Sequence, residues 1–447
     1  MKIHFLSVSF ALIALSVLAA EVSPGDAEYA VGSWLRRDKS PLGTGFRSHR
    51  GRARRFVRAD GRTLGHVVAV EGGGCVVTAG DTRIEPIVCF SPDGDLNVDE
   101  GPLAALIRAD LEARLELLEK GVRLDARGPL QAVVEAENRL SVQKGDAEAE
   151  WDDLLDIPLP AAGLLRSVGG QMSASSGGLS SISDVRVNPM VKAKWDQSTF
   201  GRSLKDTFNY YTPNHYLCGC VATAFAQVMR HWQHPTQSVT PQTFQCSEDL
   251  SMYEDPAPIG SCLRDYTMKG GKYDWSKMPL TSSQCTSAAQ RKAIGKLTYD
   301  LGVVSQMDWD VIGSGTWGML VAERMGSVFG YKSAMSYRTR NETSTPDADE
   351  KNAIYASLDA GMPVVAGIRG DAGGHEVVLD GYGYKSKKLY THVNCGWSGS
   401  QNVWYAMFSG KVTTSAFKYF NEVNYNIHPT KSGTSLSGRV TSGGKPG

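Results

Sequence analysis

The sequence predicts an α+β protein built as two folded units in series, and three observations predict it. Strand-like alternation gives way to a helical period before residue 120. Beyond residue 200 the order reverses, with helical periods first and alternating strands later. A Ser/Gly-rich stretch over residues 163–186 lies between. At 447 residues the chain is too long for one ordinary domain. Hydrophobic residues at 41% and charged residues at 21% exclude wholesale disorder. Lys+Arg and Asp+Glu each number 47, so the chain lacks the basic excess with which a dedicated nucleic-acid binder neutralises phosphates.

Taken in order, Met1-Lys2-Ile3 precedes an apolar run over residues 5–20 interrupted only by Ser7, Ser9 and Ser16. A basic start, a short apolar core and small residues at Val17/Ala19 or Leu18/Ala20 read as an export signal, residues 1–20. The run is short for a spanning helix, which needs ~20 apolar residues, so no stable membrane span is expected and the mature chain is secreted or displayed at the cell surface. Export permits disulfides. Cys75 and Cys89 flank a turn at 80–83 and are candidates to face one another. Cys246, Cys262 and Cys285 lie in a polar, turn-rich stretch expected to hold one bridge, whose pairing the sequence does not reveal.

Residues 36–62 hold nine Arg and one Lys, read as a solvated or surface-contact face because the total charge is balanced. Residues 66–71 and 75–90 alternate as strands. Leu106, Ile107, Leu111, Leu115 and Leu118 recur at helical spacing. These elements make a small α+β unit over 21–162. The stretch 163–186 cannot build a packed core and reads as a flexible, cleavable linker. The second unit, 187–430, has helical periods at 220–231 and 288–301 and strands at 363–368, 376–379, 389–394 and 403–407. The tail, 431–447, is Ser/Gly-rich with a short strand pattern at 436–440. It is either the start of an incomplete β-sandwich module or a floppy end. Asn341-Glu342-Thr343 reads as a polar loop.

Three motifs carry chemistry. Cys220 follows Gly219 and begins an apolar stripe of Val221, Ala224, Phe225, Val228, Met229 and Trp232. A Cys at a helix N-terminus has its thiolate stabilised by open N–H groups and the helix dipole, and the same groups can hold an oxyanion. His375 stands behind Gly373-Gly374 at the start of a strand, where glycines allow close approach. If 376–379 and 389–394 pair as a hairpin across 381–388, Asn394 lies beside His375, and its amide oxygen can fix the ring without adding charge. Trp397 is then placed to screen that bond from water. A Cys facing His and Asn is the arrangement of a cysteine hydrolase.

These residues resemble the streptopain-type peptidases, papain-like cysteine proteases secreted by bacteria. The resemblance lies in Gly219–Ala224 with Ala226–Met229, in Gly373-Gly374-His375 with Asp380-Gly381, and in His392-Val393-Asn394 with Gly396-Trp397. Trp195-Asp196-Gln197 is similar to an early Trp-x-Gln segment, and residues 73–83 with Phe90-Ser91 are similar to the family's inhibitory propeptide. The match spans roughly 27–427. It implies a papain-like two-part catalytic domain, helical half and antiparallel sheet half, preceded by a small α+β prodomain. Cys220 matches the nucleophile, His375 the general base, Asn394 the orienting residue and Gln197 an oxyanion donor with the Cys220 N–H. The implied activity is a cysteine endopeptidase made as a zymogen and acting on protein or peptide substrates through a thioester, with its own prodomain as inhibitor, no cofactor and no metal. Cys395 replaces a Trp usual in the family, and Cys218 places a second thiol beside the nucleophile.

Three rivals remain. A metal site from Cys218, Cys220, His231 and His234 fails on distance, since Cys220 and His231 are separated by roughly 16 Å of helix at ~1.5 Å per residue. The two histidines are expected to cap that helix's C-terminus before Pro235. A catalytically inactive homologue used for surface binding or inhibition, and a Cys-His amidase or transglutaminase, share the same motifs. A prodomain with a cleavable linker favours the secreted protease.

Overall fold

The computed structural model describes residues 21–94, 96–97, 101–119, 146–155, 183–200, 205–249, 261–310, 313–338, 348–370, 373–385, 388–406, 419–429, 441–442 and 445–446. The proposed signal, most of the linker, the Asn341 sequon and the strand pattern at 436–440 lie outside the described residues. In chain order the elements are α1 (Pro24–Arg37), β1 (Gly51–Val57), β2 (Thr63–Val70), β3 (Cys75–Ala79), β4 (Ile87–Ser91), α2 (Pro102–Glu119), α3 (Asp146–Leu155) and β5 (Ser183–Val187). There follow β6 (Thr199–Phe200), β7 (Lys205–Asp206), α4 (Cys220–Trp232), β8 (Thr243–Asp249), β9 (Ser261–Thr267), α5 (Ala288–Val304), β10 (Asp308–Trp309) and α6 (Gly318–Phe329). The last are β11 (Ser333–Arg338), α7 (Ala348–Asp359), β12 (Val364–Gly370), β13 (Gly373–Lys385), β14 (Lys388–Asn394), β15 (Val403–Tyr405) and β16 (Tyr419–His428). Among the described residues no helix is long and apolar enough to cross a membrane.

Helix α1 starts where its sequence dictates. Ser23 Oγ accepts the Asp26 N–H at 3.1 Å, the Asp26 carboxylate accepts the Ser23 N–H at 3.2 Å, and Pro24 occupies the first turn. Its buried stripe, Ala27, Ala30, Val31, Trp34 and Leu35, packs on the first sheet strands, with Trp34 set edge-on to Phe90 at 5.0 Å.

The two units share one sheet. Its order is β1-β2-β3-β4-β15-β14-β13-β12-β16-β11, with β5 added against β13 to make eleven strands. The join is β4 with β15, where Trp404 faces Phe90 and Tyr405 faces Cys89. Side chains alternate along the strands, which divides the apolar residues into two cores. Val364, Ala366, Val377, Leu379, Val393 and Val403 join the first unit's core, while Val365, Val378 and Ile427 join the core of α4, α5 and α6. The sheet thus supports the helical half on one face and the N-terminal unit along its length and other face.

Several expectations change. The hairpin turn lies between Lys385 and Lys388, and β13 continues, past a register shift between Leu379 and Gly381, through Gly381 and Gly383. Those glycines make room for β5: a Cβ at Gly381 would lie 2.8 Å from the Val187 carbonyl oxygen, and one at Gly383 2.7 Å from that of Asp184. Residues 183–186, read as linker, are therefore strand. No two of the eight cysteines are joined in a disulfide. Cys75 faces Ser91 while Cys89 faces Val77, two positions out of register, and Cys246 faces Arg264 while Cys262 faces Glu248. The C-terminus of α4 is closed by Gln233 in the left-handed region and by the His234 N–H donating to Met229 O, and not by histidine rings.

Candidate active site

Cys220 is the first residue of α4. Its predecessor Gly219 has φ +89°, and a Cβ there would lie 2.7 Å from Met307 Cε, so only glycine delivers the chain into the helix at this angle. No side chain caps the helix start, which leaves N–H groups free to face the thiol. The N–H groups of Glu376, Val221 and Cys220 itself point at it. Burial nevertheless pushes the Cys220 thiol up to about 12, with the nearby Glu376 carboxyl adding to the effect.

Cys218 differs in kind. It is fully buried, with Sγ 3.3 Å from Thr223 Oγ1 and 3.7 Å from Gly219 O. Burial pushes it to about 12 as well, but its thiol faces the core while Cys220 is partly exposed. The Gln197 carbonyl accepts the Cys218 N–H at 3.0 Å, which lays the Trp195–Gln197 segment along the approach to the nucleophile.

His375 sits near the start of β13, buried. Its Nε2 lies 2.9 Å from the Cys395 carbonyl oxygen, and Trp397 packs on the ring at 5.4 Å, tilted 64°. A carbonyl only accepts, so Nε2 carries the proton and Nδ1 is left as the basic nitrogen. Burial lowers His375 to about 4 against the raising effect of that carbonyl. The acceptor is thus the backbone of Cys395, where the hairpin argument had placed the Asn394 side chain.

Asn394 is buried one residue away, and its amide is fully used. Nδ2 donates to Ala193 O at 3.0 Å and to Gln227 Oε1 at 3.1 Å, while Oδ1 accepts the Gly396 N–H at 3.0 Å. Gln227 is the residue the motif reading passed over. It is completely buried on α4, two turns beyond Cys220, and its Oε1 also accepts the Trp195 N–H at 3.1 Å. One amide therefore ties the nucleophile helix, the Trp195 segment and the end of β14 together. The signal was present in the sequence as a polar residue on the apolar stripe of a buried helix.

His392 is held elsewhere. Its Nδ1 lies 2.6 Å from Asp380 Oδ1, and Asp380 Oδ2 accepts the Val191 N–H at 2.7 Å. The N-terminal unit reaches the site through Gly101, which packs against the Trp397 ring so closely that any side chain would overlap it. Lys194, one residue before Trp195, pairs with Asp93 at 3.2 Å.

Residues 195–405 match the model of the Peptidase C10 family. Streptopain of Streptococcus pyogenes is 26% identical over 225 residues, 47% of this chain and 54% of that one. The thiol protease/hemagglutinin PrtT of Porphyromonas gingivalis is 32% identical over 185 residues, 41% of this chain and 20% of that one. The chain thus spans about half the length of the streptopain it matches. A fragment of Prevotella intermedia prointerpain A superposes with a TM-score of 0.50 at 18% identity, covering 85% of this chain and 100% of that one. This similarity is one of fold, an α+β arrangement shared across both units.

Proposed function

We propose that this chain, whose residues 195–405 match the Peptidase C10 family model and are similar to streptopain, is a secreted cysteine endopeptidase made as an inactive precursor. Cys220 is the nucleophile, His375 the base, Asn394 the residue that orients the ring in the mature enzyme, and Gln197 an oxyanion donor with the Cys220 N–H. The His375 Nδ1 takes the thiol proton as sulfur attacks the scissile carbonyl. The tetrahedral oxyanion collapses to a thioester, and the imidazolium returns the proton to the departing amine. Water, deprotonated by the same ring, then releases the acid and restores the thiol.

The observation that carries this reading is Cys220 at the uncapped start of α4, under the N–H of Glu376, with His375 next along the same strand. Latency is supported by the site's present state. Burial raises Cys220 and lowers His375, so each is biased toward its neutral form in this state. Residues 21–162 act as the inhibitory prodomain, and the chain is cut ahead of β5, after export directed by residues 1–20. Cys220→Ala should abolish both hydrolysis of a casein substrate and shortening of the purified precursor, with its circular dichroism unchanged. A Cys220→Ala chain that still matures unaided would remove the nucleophile from this assignment.

A further inference from the structure

Glu376 has no part in the chemistry above, yet it adjoins both His375 and the thiol. Four residues on four neighbouring strands form one row. Arg338 on β11 faces Glu422 on β16, Glu422 faces Gly367 on β12, and Gly367 faces Glu376 on β13. Directly opposed residues of antiparallel strands share a sheet face, so the row points one way. Gly367 leaves the gap in its middle: a Cβ there would lie 2.9 Å from both Glu376 Oε2 and Glu422 Cγ. Across that gap the two carboxyl groups hydrogen-bond to one another.

Two carboxylates do not bond unless one holds a proton. Glu422 is the better anion, because its oxygens accept the N–H groups of Gly318 at 2.6 Å and Met319 at 3.2 Å at the start of α6. Glu376 is buried, and its Oε1 accepts from a single amide, Asn424 Nδ2 at 3.2 Å, among the described residues. The proton therefore resides on Glu376, and burial with the Glu422 charge holds it there well above the usual carboxylate range. The groups facing Glu376 are Glu422, Asn424 and Asn421 on β16, Arg338 at the end of the row, the first N–H groups of α6, and Cys220 on α4. His375 precedes it on β13.

Building on Cys220 as nucleophile, we propose that Glu376 is a positioning residue for it. While Glu376 keeps the proton it shares with Glu422, the dyad carries one negative charge, held at its far end by α6. When that proton leaves, a second negative charge appears against the thiolate, and the thiolate is disfavoured.

The test follows the full chain through maturation and records the pH profile of kcat/KM for the parent, Glu376→Gln and Glu422→Gln. Glu376→Gln cannot ionise, so the alkaline limb should move up by about one pH unit. Glu422→Gln removes the charge that retains the proton, so the limb should move down. Site-resolved alkylation of Cys220 by iodoacetamide in the unprocessed chain reads the thiolate without any turnover. In Glu376→Gln its midpoint should fall by about one pH unit. If Glu376→Gln does not mature, the alkylation midpoint and the Glu422→Gln limb decide. Limbs and midpoints that coincide with the parent's, or that move the opposite way, overturn the proposal. Peptidase activity surviving in Cys220→Ala would overturn the nucleophile assignment instead.

Discussion

Cys218 and Cys220 are two residues apart, and their surroundings separate a core thiol from the proposed nucleophile. The first is sealed against Thr223, and the second opens on the helix start. Cys218→Ala removes a small buried group of the kind that core truncations make costly by a kcal/mol or so. It should lower the thermal midpoint slightly while leaving most turnover, whereas a dead Cys218→Ala with an intact fold would reverse the two roles. His375 gives a second test. Its pKa in the precursor is lowered from 6.5 to about 4, so below ~6.5 the unfolded chain takes up a proton that the folded chain refuses. The stability from its neutral ring is fully present above that pH and is lost as pH falls through about 4, a limit of about 3 kcal/mol. Urea midpoints of Cys220→Ala at pH 7 and pH 4.5 should therefore differ by more than those of Cys220→Ala/His375→Ala. Equal differences would mean the ring is not held neutral. At this scale the motifs singled out Cys220, His375 and Asn394 but assigned no role to Gln227. What they did not reveal is the hydrogen-bond partner of each, because Asn394 and the Cys395 carbonyl are adjacent in sequence and the choice between them depends on Gln227, which lies on another element.

Among the elements, β1 explains the arginine-rich stretch. It is an outer strand of the sheet, paired among the described residues only with β2, and Arg52, Arg54 and Arg55 line it. Charge on such a strand deters pairing with another chain, so the basic patch has a structural purpose within this fold. The join of β4 and β15 is reinforced by a buried network. Arg114 pairs with Asp110 at 2.7 Å and Glu85 at 2.8 Å and donates to Ala406 O at 3.1 Å, while the Tyr405 hydroxyl donates to Asp110 Oδ2 at 2.6 Å. Removing one partner of such a network strands the others, at a cost of about 3–5 kcal/mol. Arg114→Ala should loosen the N-terminal unit and speed precursor shortening; a rate equal to the parent's would show that the seam does not govern release. Local pattern gave α2, α4, α5 and most of β12 to β15, because each has a buried stripe or alternation of its own. Helix α1 carried the same helical spacing in Ala27, Ala30, Val31, Trp34 and Leu35 and went unread beside the arginines. Pairing of β4 with β15 joins residues more than three hundred positions apart, and no local period encodes it.

For the whole molecule, the N-terminal unit should act as an inhibitor when supplied separately. Residues 21–162 added to the matured enzyme should suppress hydrolysis at saturation, through Gly101 over Trp397 and the shared sheet. Full activity with no measurable binding would exclude it as the source of latency. The way this unit is attached has a further consequence. Cutting the chain ahead of β5 breaks one peptide bond and removes none of the contacts between β4 and β15, or between Lys385 and Asp38. What it changes is molecularity. If residues 21–162 inhibit as proposed, the uncut chain holds them at an effective concentration that for short linkers is of millimolar order; afterwards occupancy follows ordinary mass action. On that proposal, processing alone would leave a noncovalent complex still silent when concentrated, and dilution would complete the activation.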